Sequence, residues 1–302
     1  MSSTKIQWHP GFAAAMNLEL KEYRKDLIFE KEYNLNTKPL EIDLLIIKKE
    51  ASVPIENDIG SFFRGHNILE YKSPEDSLDI DVFYKSEAYA GLYKSYGKTV
   101  NAVKADDITV SILRDSEPRK LFRYLKEQGN KISSRYRGIY YIEGNTAWFP
   151  TQIIVTKRLD KNMHIWLRSL SGRLDKNDVK NLLERVGEIS DKWDKEMVGA
   201  VLAVSIEANK QAVRELAGGE HMLLETLMEI MEPQITEKLD EAQREGRKEG
   251  RKEGRKEGRK EGMEALVDSL RFLSIPEEMI ESQLAQRFQL TSEEAKSFMG
   301  RR

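Results

Sequence analysis

Along the first half of the chain the apolar positions recur at two different periods, and each change of period marks an element. Between Gly11 and Arg24, Phe12, Met16, Glu19 and Tyr23 follow one another at helical steps, so one stripe gathers two rings, a methionine and a carboxylate. Trp8-His9-Pro10 resists helix and sets the predicted start at Gly11. Asp26 to Leu35 reads as a strand with one polar side, and the Asn34–Pro39 stretch supplies turn residues. Leu40 to Lys48 is apolar on both faces, the pattern of a central strand covered on both sides. Asp43 is its exception and shares a face with Leu45 and Ile47.

After a loop with Pro54, Gly60 and a short turn at Phe62 and Phe63, a further strand runs from Asn67 to Lys72. Its alternation sets Ile68, Glu70 and Lys72 on one face and Leu69 and Tyr71 on the other. Ser73-Pro74 ends it, and a helix is predicted from Leu78 to Tyr96, with Val82, Tyr89, Tyr93 and Tyr96 on one side. Strands at Asp107–Leu113, Ile139–Ile142 and Gln152–Lys157 and a helix at Pro118–Glu127 complete this part. The succession specifies an α/β fold, a mixed central β-sheet flanked by helices.

From Leu174 the pattern becomes helical, at Val179–Val186, Met197–Leu216 and His221–Gln243, with Gly218-Gly219 as a break. Residues 245–262 repeat Glu-Gly-Arg-Lys. Each interior glycine costs roughly 1 kcal/mol relative to alanine in a helix, so the repeat is expected as a marginal solvated helix or a linker. Two helix starts, at Ser274-Ile275-Pro276-Glu277 and Thr291-Ser292-Glu293-Glu294, suggest a hairpin of short helices at the end. The expected organisation is a core over 1–160, a helical extension over 161–244, a charged linker over 245–262 and a small helical tail over 263–302. The C-terminal helices are the expected place for self-association.

Composition changes this picture in three ways. The 33% of charged residues is high for a globular chain, and the repeat is its source. A net charge of -2 argues against coating nucleic acid by bulk attraction, leaving room only for a local basic face. There is no cysteine, no run long enough for a bilayer and no basic, apolar start of a signal peptide, so a soluble cytoplasmic protein is expected, with no membrane partner.

The candidate chemistry lies in the residues that interrupt apolar faces: Glu19 in a helix, Asp43 in a central strand, and Glu70 with Lys72 in the next strand. Each alone is explained by an ion pair, and Glu-x-Lys is common on solvated strands. If the strands are neighbours, the carboxylates hold a hard cation through oxygen and the lysine orients a water or stabilises a crowded phosphate. No glycine-rich nucleotide motif occurs in a strand-to-helix setting, so no nucleotide cofactor is expected. His9, His66, His164 and His221 form no spaced metal set and receive no role. Arg64, His66 and, more favourably, Lys85 are candidates for phosphate contact.

At Pro39-Leu40-Glu41-Ile42-Asp43-Leu44-Leu45-Ile46-Ile47-Lys48 and His66-Asn67-Ile68-Leu69-Glu70-Tyr71-Lys72-Ser73-Pro74, followed by Phe83-Tyr84-Lys85, the chain resembles the PD-(D/E)XK nuclease superfamily. More narrowly it resembles the recombination-promoting nuclease or transposase group, which also carries Arg-Glu-Gly-Lys repeats. The resemblance covers the first half and implies a restriction-endonuclease-like core. It implies Asp43, Glu70 and Lys72 as catalytic residues, and Glu19, Asp43 and Glu70 as ligands of Mg²⁺ or Mn²⁺, with Glu22 a rival to Glu19. Ile42 replaces the motif's proline, a position without a catalytic role. The implied activity is metal-dependent DNA endonuclease hydrolysis of phosphodiester bonds, linked to recombination or element mobility. The competing readings are a catalytically inactive DNA-binding protein that keeps the fold, and a helical assembly protein.

Overall fold

The computed structural model describes Ile6, residues 8–31, 44–50, 53–96 and 99–217, Thr236 and residues 254–300. The chain divides into two compact units, Gln7–Ser171 and a second formed by Met1–Ile6 with Gly172–Arg302.

The first unit is built on one seven-stranded mixed sheet. Its strands are β1 (Leu27–Lys31), β2 (Leu44–Lys49), β3 (His66–Lys72), β4 (Ile108–Arg114), β5 (Lys131–Ser133), β6 (Ile139–Glu143) and β7 (Thr151–Val155). They lie in the order β1-β2-β3-β4-β7-β6-β5. The central β3, β4 and β7 are parallel, and antiparallel ladders extend the sheet on both flanks. The α/β architecture with helices flanking a mixed sheet is therefore as the sequence indicates.

Among the described residues this unit holds the α-helices α1 (Trp8–Glu19), α2 (Ile80–Ser95), α3 (Arg119–Glu127) and α4 (Ile165–Ser169). One face of the sheet, through Ile46, Ile68, Val110, Ile112 and Ile153, packs with Phe83, Ala90 and Tyr93 of α2 and Leu121, Phe122 and Leu125 of α3. On the other face Tyr71 stacks against Phe12 of α1 with ring centroids 4.8 Å apart, and α1 packs on α4. The Asp79 carboxylate caps α2 by accepting from the Val82 N–H, which holds its pKa below the usual value.

Several boundaries differ from the sequence reading for physical reasons. Helix α1 begins at Trp8 because Pro10 falls in the first turn, where a missing N–H costs nothing. It ends at Glu19 and passes into a 3₁₀ turn over Lys21–Asp26. Strand β5 and helix α4 are additional, each too short to show a period. Tyr89 and Tyr93 are buried as expected of a core stripe, whereas Tyr96, past the end of α2, is exposed.

Buried polar groups in the sheet are paired side chain by side chain. Asn67 accepts from the Arg64 N–H (2.7 Å) and the Thr109 hydroxyl (2.7 Å), and donates to the Ile47 (2.9 Å) and Arg64 (2.8 Å) carbonyls. It ties the start of β3 to both neighbouring strands. Asn67→Ala leaves these groups unpaired in a fully buried site, at about 1–3 kcal/mol for each buried group stranded. A lowered urea midpoint with an unchanged slope is the expected result, and an unchanged midpoint contradicts it.

The second unit contains α5 (Lys176–Gly187), α6 (Lys192–Ala208) and α7 (Lys210–Ala217), then α8 (Gly254–Phe272), α9 (Glu277–Phe288) and α10 (Ser292–Gly300). The segment predicted as one helix over Met197–Leu216 is two, because Asn209 turns inward to donate to the Ser205 carbonyl and accept from the Leu174 N–H. Asp175 and Asp178 form a reciprocal capping box at the start of α5. The last repeats of Glu-Gly-Arg-Lys are the first turns of α8; the rest of the repeat, and His221–Gln243 apart from Thr236, lie outside the described residues. Among the described residues no helix is long and apolar enough to cross a membrane.

Candidate active site

Strand β3 has its backbone committed on both sides, antiparallel to β2 and parallel to β4. Its side chains therefore alternate strictly between the two faces. Tyr71 points to the α1 face, so Glu70 and Lys72 point to the face that α2 and α3 cover. There the Glu70 Oε1 and Lys72 Nζ atoms are 2.8 Å apart, with the carboxylate side chain 7% and the ammonium side chain 18% exposed. The pair is thus largely removed from water yet keeps an opening on the lysine side. Across the ladders Glu70 faces Leu44 of β2 and Ile112 of β4, and Lys72 faces Arg114 of β4. The Arg114 Nε is buried without a hydrogen-bond partner. Two cations and one carboxylate accordingly meet at the C-terminal edge of the parallel strands, the edge at which open α/β sheets bind ligands.

The other predicted site residues separate into three groups. Asp43 lies outside the described residues; its covalent neighbour Leu44 is the position paired with Glu70. Glu19 is described and its side chain is 1% exposed, while Glu22 is exposed in the 3₁₀ turn. The Glu19 carboxylate does not join Glu70. It lies on the α1 and α4 side, with Oε2 3.1 Å from the His164 Nδ1 and Oε1 accepting from the Leu167 N–H at 3.3 Å. Arg64 and His66 form the third group, at the opposite end of β3 from the pair. His66 is about 13 Å along the strand from Glu70, its Nδ1 2.9 Å from the Tyr93 hydroxyl, and Arg64 donates to the Asp106 carbonyl. Burial, then the charge of Lys48, pushes the His66 imidazole below its usual pKa. Lys85 is exposed on α2, with its ammonium 5.3 Å from the centre of the Tyr89 ring.

His164 is the residue that sequence reasoning missed. Its imidazole is buried between Glu19 and Asp58, whose Oδ2 is 3.6 Å from Nε2. Burial alone would lower its pKa, but the hydrogen bond and charge of Glu19, followed by those of Asp58, lift it above the usual value. Burial pushes Glu19 up, against the His164 bond and the N–H groups of Leu167 and Trp166. The partners are 145 positions apart in the chain, and no local pattern signals the contact. Glu87 was also not singled out. It is buried on α2, accepts from the Trp148 and Phe149 N–H groups and the Thr151 hydroxyl, and burial raises its pKa.

At the same C-terminal edge, on the Tyr71 face, Asp115 Oδ1 and Thr156 Oγ1 are buried without hydrogen-bond partners. The Tyr71 phenol is pushed up by burial and then by the charges of Asp115 and Asp76. Among the described residues no group of three or more histidines and carboxylates converges in a way that holds a metal ion. Comparison with protein-family models, curated proteins and solved structures found no match.

Proposed function

We propose that the chain is a metal-dependent DNA endonuclease with a restriction-endonuclease-like core, cutting phosphodiester bonds in recombination or element mobility. The observation that carries this reading is the Glu70–Lys72 pair, side by side on one face of a central strand at the ligand-binding edge of the sheet. Arg114 adds a fixed charge beside it. Lysine in that position holds and orients a phosphate oxygen or a water, and its carboxylate neighbour holds it in place. The oxygen donors fit a hard cation in kind: Glu70, and Asp43 from outside the described residues, would hold Mg²⁺ or Mn²⁺, which supplies positive charge to the scissile phosphate and acidifies a water. Glu19 is left out of this set because His164 and Leu167 engage its carboxylate on the other face.

The occupied Glu19 carboxylate favours the second reading, a DNA-binding protein that keeps the fold without cutting.

Plasmid cleavage with Mg²⁺ or Mn²⁺ separates the two. The intact protein is expected to nick or linearise the plasmid. Asp43→Ala and Lys72→Ala are expected to cut more slowly by about 100-fold or more, measured at a temperature where circular dichroism shows each variant folded. Equal cleavage by all three proteins, or none by the parent with either metal, overturns the nuclease reading.

A further inference from the structure

Helix α3 sets apolar and basic residues on opposite sides. Leu121, Phe122 and Leu125 are buried against the sheet, while Arg119, Lys120, Arg123 and Lys126 are exposed on the other side. No acidic residue interrupts the run from Arg119 to Lys126, and among the described residues none of the four cations forms an ion pair. Of the nearby carboxylates, Glu117 pairs with Arg158, Glu143 with Lys131, and Glu87 is buried under the Trp148 and Phe149 N–H groups, which leaves the exposed Glu127 at the C-terminal end of α3 as the one acidic residue of the helix. In a chain of net charge -2, four such cations between Arg119 and Lys126 of one helix are a local feature rather than a share of a general excess.

Aromatic rings adjoin this face. The Tyr84 phenol on α2 meets that of Tyr124 on α3. One turn along α2, Glu87 fixes the backbone of Trp148, whose side chain stays 61% exposed. Helices α2 and α3 cover the sheet face to which Glu70 and Lys72 point.

We propose that the α3 face is a docking surface for the phosphodiester backbone of nucleic acid, with Trp148 as a stacking platform for an unpaired base. Guanidinium forks at Arg119 and Arg123 match phosphate oxygens in pairs, and the two lysines add point charges. An indole held in the open stacks on any base regardless of sequence. The surface rests on the nucleic-acid half of the proposed function and not on the cleavage half, since contact here needs no metal and no Glu70.

The test measures anisotropy of labelled duplex and single-stranded 25-mers titrated with the full chain in metal-free buffer, so that loss of cleavage and loss of docking are read separately. Binding is expected to weaken with salt, with a log–log slope near −0.9 per phosphate contacted on duplex and about −0.7 on single strands. Arg119→Gln/Arg123→Gln is expected to lower affinity by at least about 10-fold and to flatten the slope by roughly two contacts' worth. Lys176→Gln, on α5 of the second unit, is expected to leave both unchanged. Trp148→Ala is expected to weaken single strands about 5-fold or more and duplex little. Circular dichroism confirms that each variant is folded. Unchanged affinity and slope in the double variant overturn the proposal, as does binding to phosphatidylserine vesicles with none to either DNA.

Discussion

Glu19→Ala is expected to destabilise the sheet unit by about 3–5 kcal/mol, the typical cost of removing one member of a buried ion pair. The side chains of Glu19 and His164 are each 1% exposed, so the stranded imidazole gains no water in exchange. The carboxylate also accepts from the Leu167 N–H and thereby fastens the end of α1 to α4. Urea unfolding followed by the fluorescence of the buried Trp8 and Trp166 measures the loss, and a change below about 1 kcal/mol would refute the assignment. Glu19→Leu/His164→Leu is expected to be less destabilised than the sum of its singles, because neither charge is left alone. The pH dependence has a definite sign. A histidine whose folded pKa is raised stabilises fully below its unfolded value near 6.5 and loses that contribution as pH rises through the folded value. Glu19, also raised, gives up its contribution as pH rises from the ordinary carboxylate range through the folded pKa. Stability therefore falls on the alkaline side of His164's ordinary range, and His164→Asn flattens that fall. Glu19→Gln retaining cleavage further distinguishes an architectural carboxylate from a metal ligand.

Tyr71→Ala is expected to cost a similar 3–5 kcal/mol, the usual range for truncating a buried aromatic residue. Tyr71 is among the largest fully buried side chains, stacked on Phe12 and donating its hydroxyl to the Leu170 carbonyl at 3.3 Å. Tyr71→Phe keeps the stack and is expected to lose only about 0.5–1.5 kcal/mol. The pair of variants has a functional use. Since Tyr71 sits between Glu70 and Lys72 but faces away from them, Tyr71→Phe should leave plasmid cleavage at the parental rate. A loss of cleavage comparable to Lys72→Ala would mean that the chemistry lies on the α1 face.

The elements legible in the sequence are those long enough to repeat a pattern. Strands β3 and β4 are runs buried on both faces, and helices α2 and α3 bury apolar positions at helical spacing. Strand β5 has three residues and α4 five, so neither completes a repeat, and only their neighbours hold them in those conformations. For the candidate site, the shared face of Glu70 and Lys72 follows from alternation and is present in the structure. The destination of Glu19 was not legible. Its helical stripe correctly implied burial, but burial can serve a metal or a histidine equally well. The choice depends on residues 145 positions away, brought close by the packing of α4 on α1. The same holds for Glu87, whose partners are 61 to 64 positions distant.

The parallel ladders at the centre of the sheet also bear on how the chain reaches this state. His66 pairs with Ile108 and Val110 with Thr151, so each central ladder joins segments about 41 or 42 positions apart, whereas the ladder of β6 with β7 closes over a short turn. Loop-closure entropy is spent before those central contacts return anything, which makes them the slow events. The flanking ladder of β6 and β7 is expected to gain amide protection early in refolding, and β3 and β4 late. The sheet face that carries Glu70 and Lys72 is then completed only in the last step, after the flanking strands have already paired.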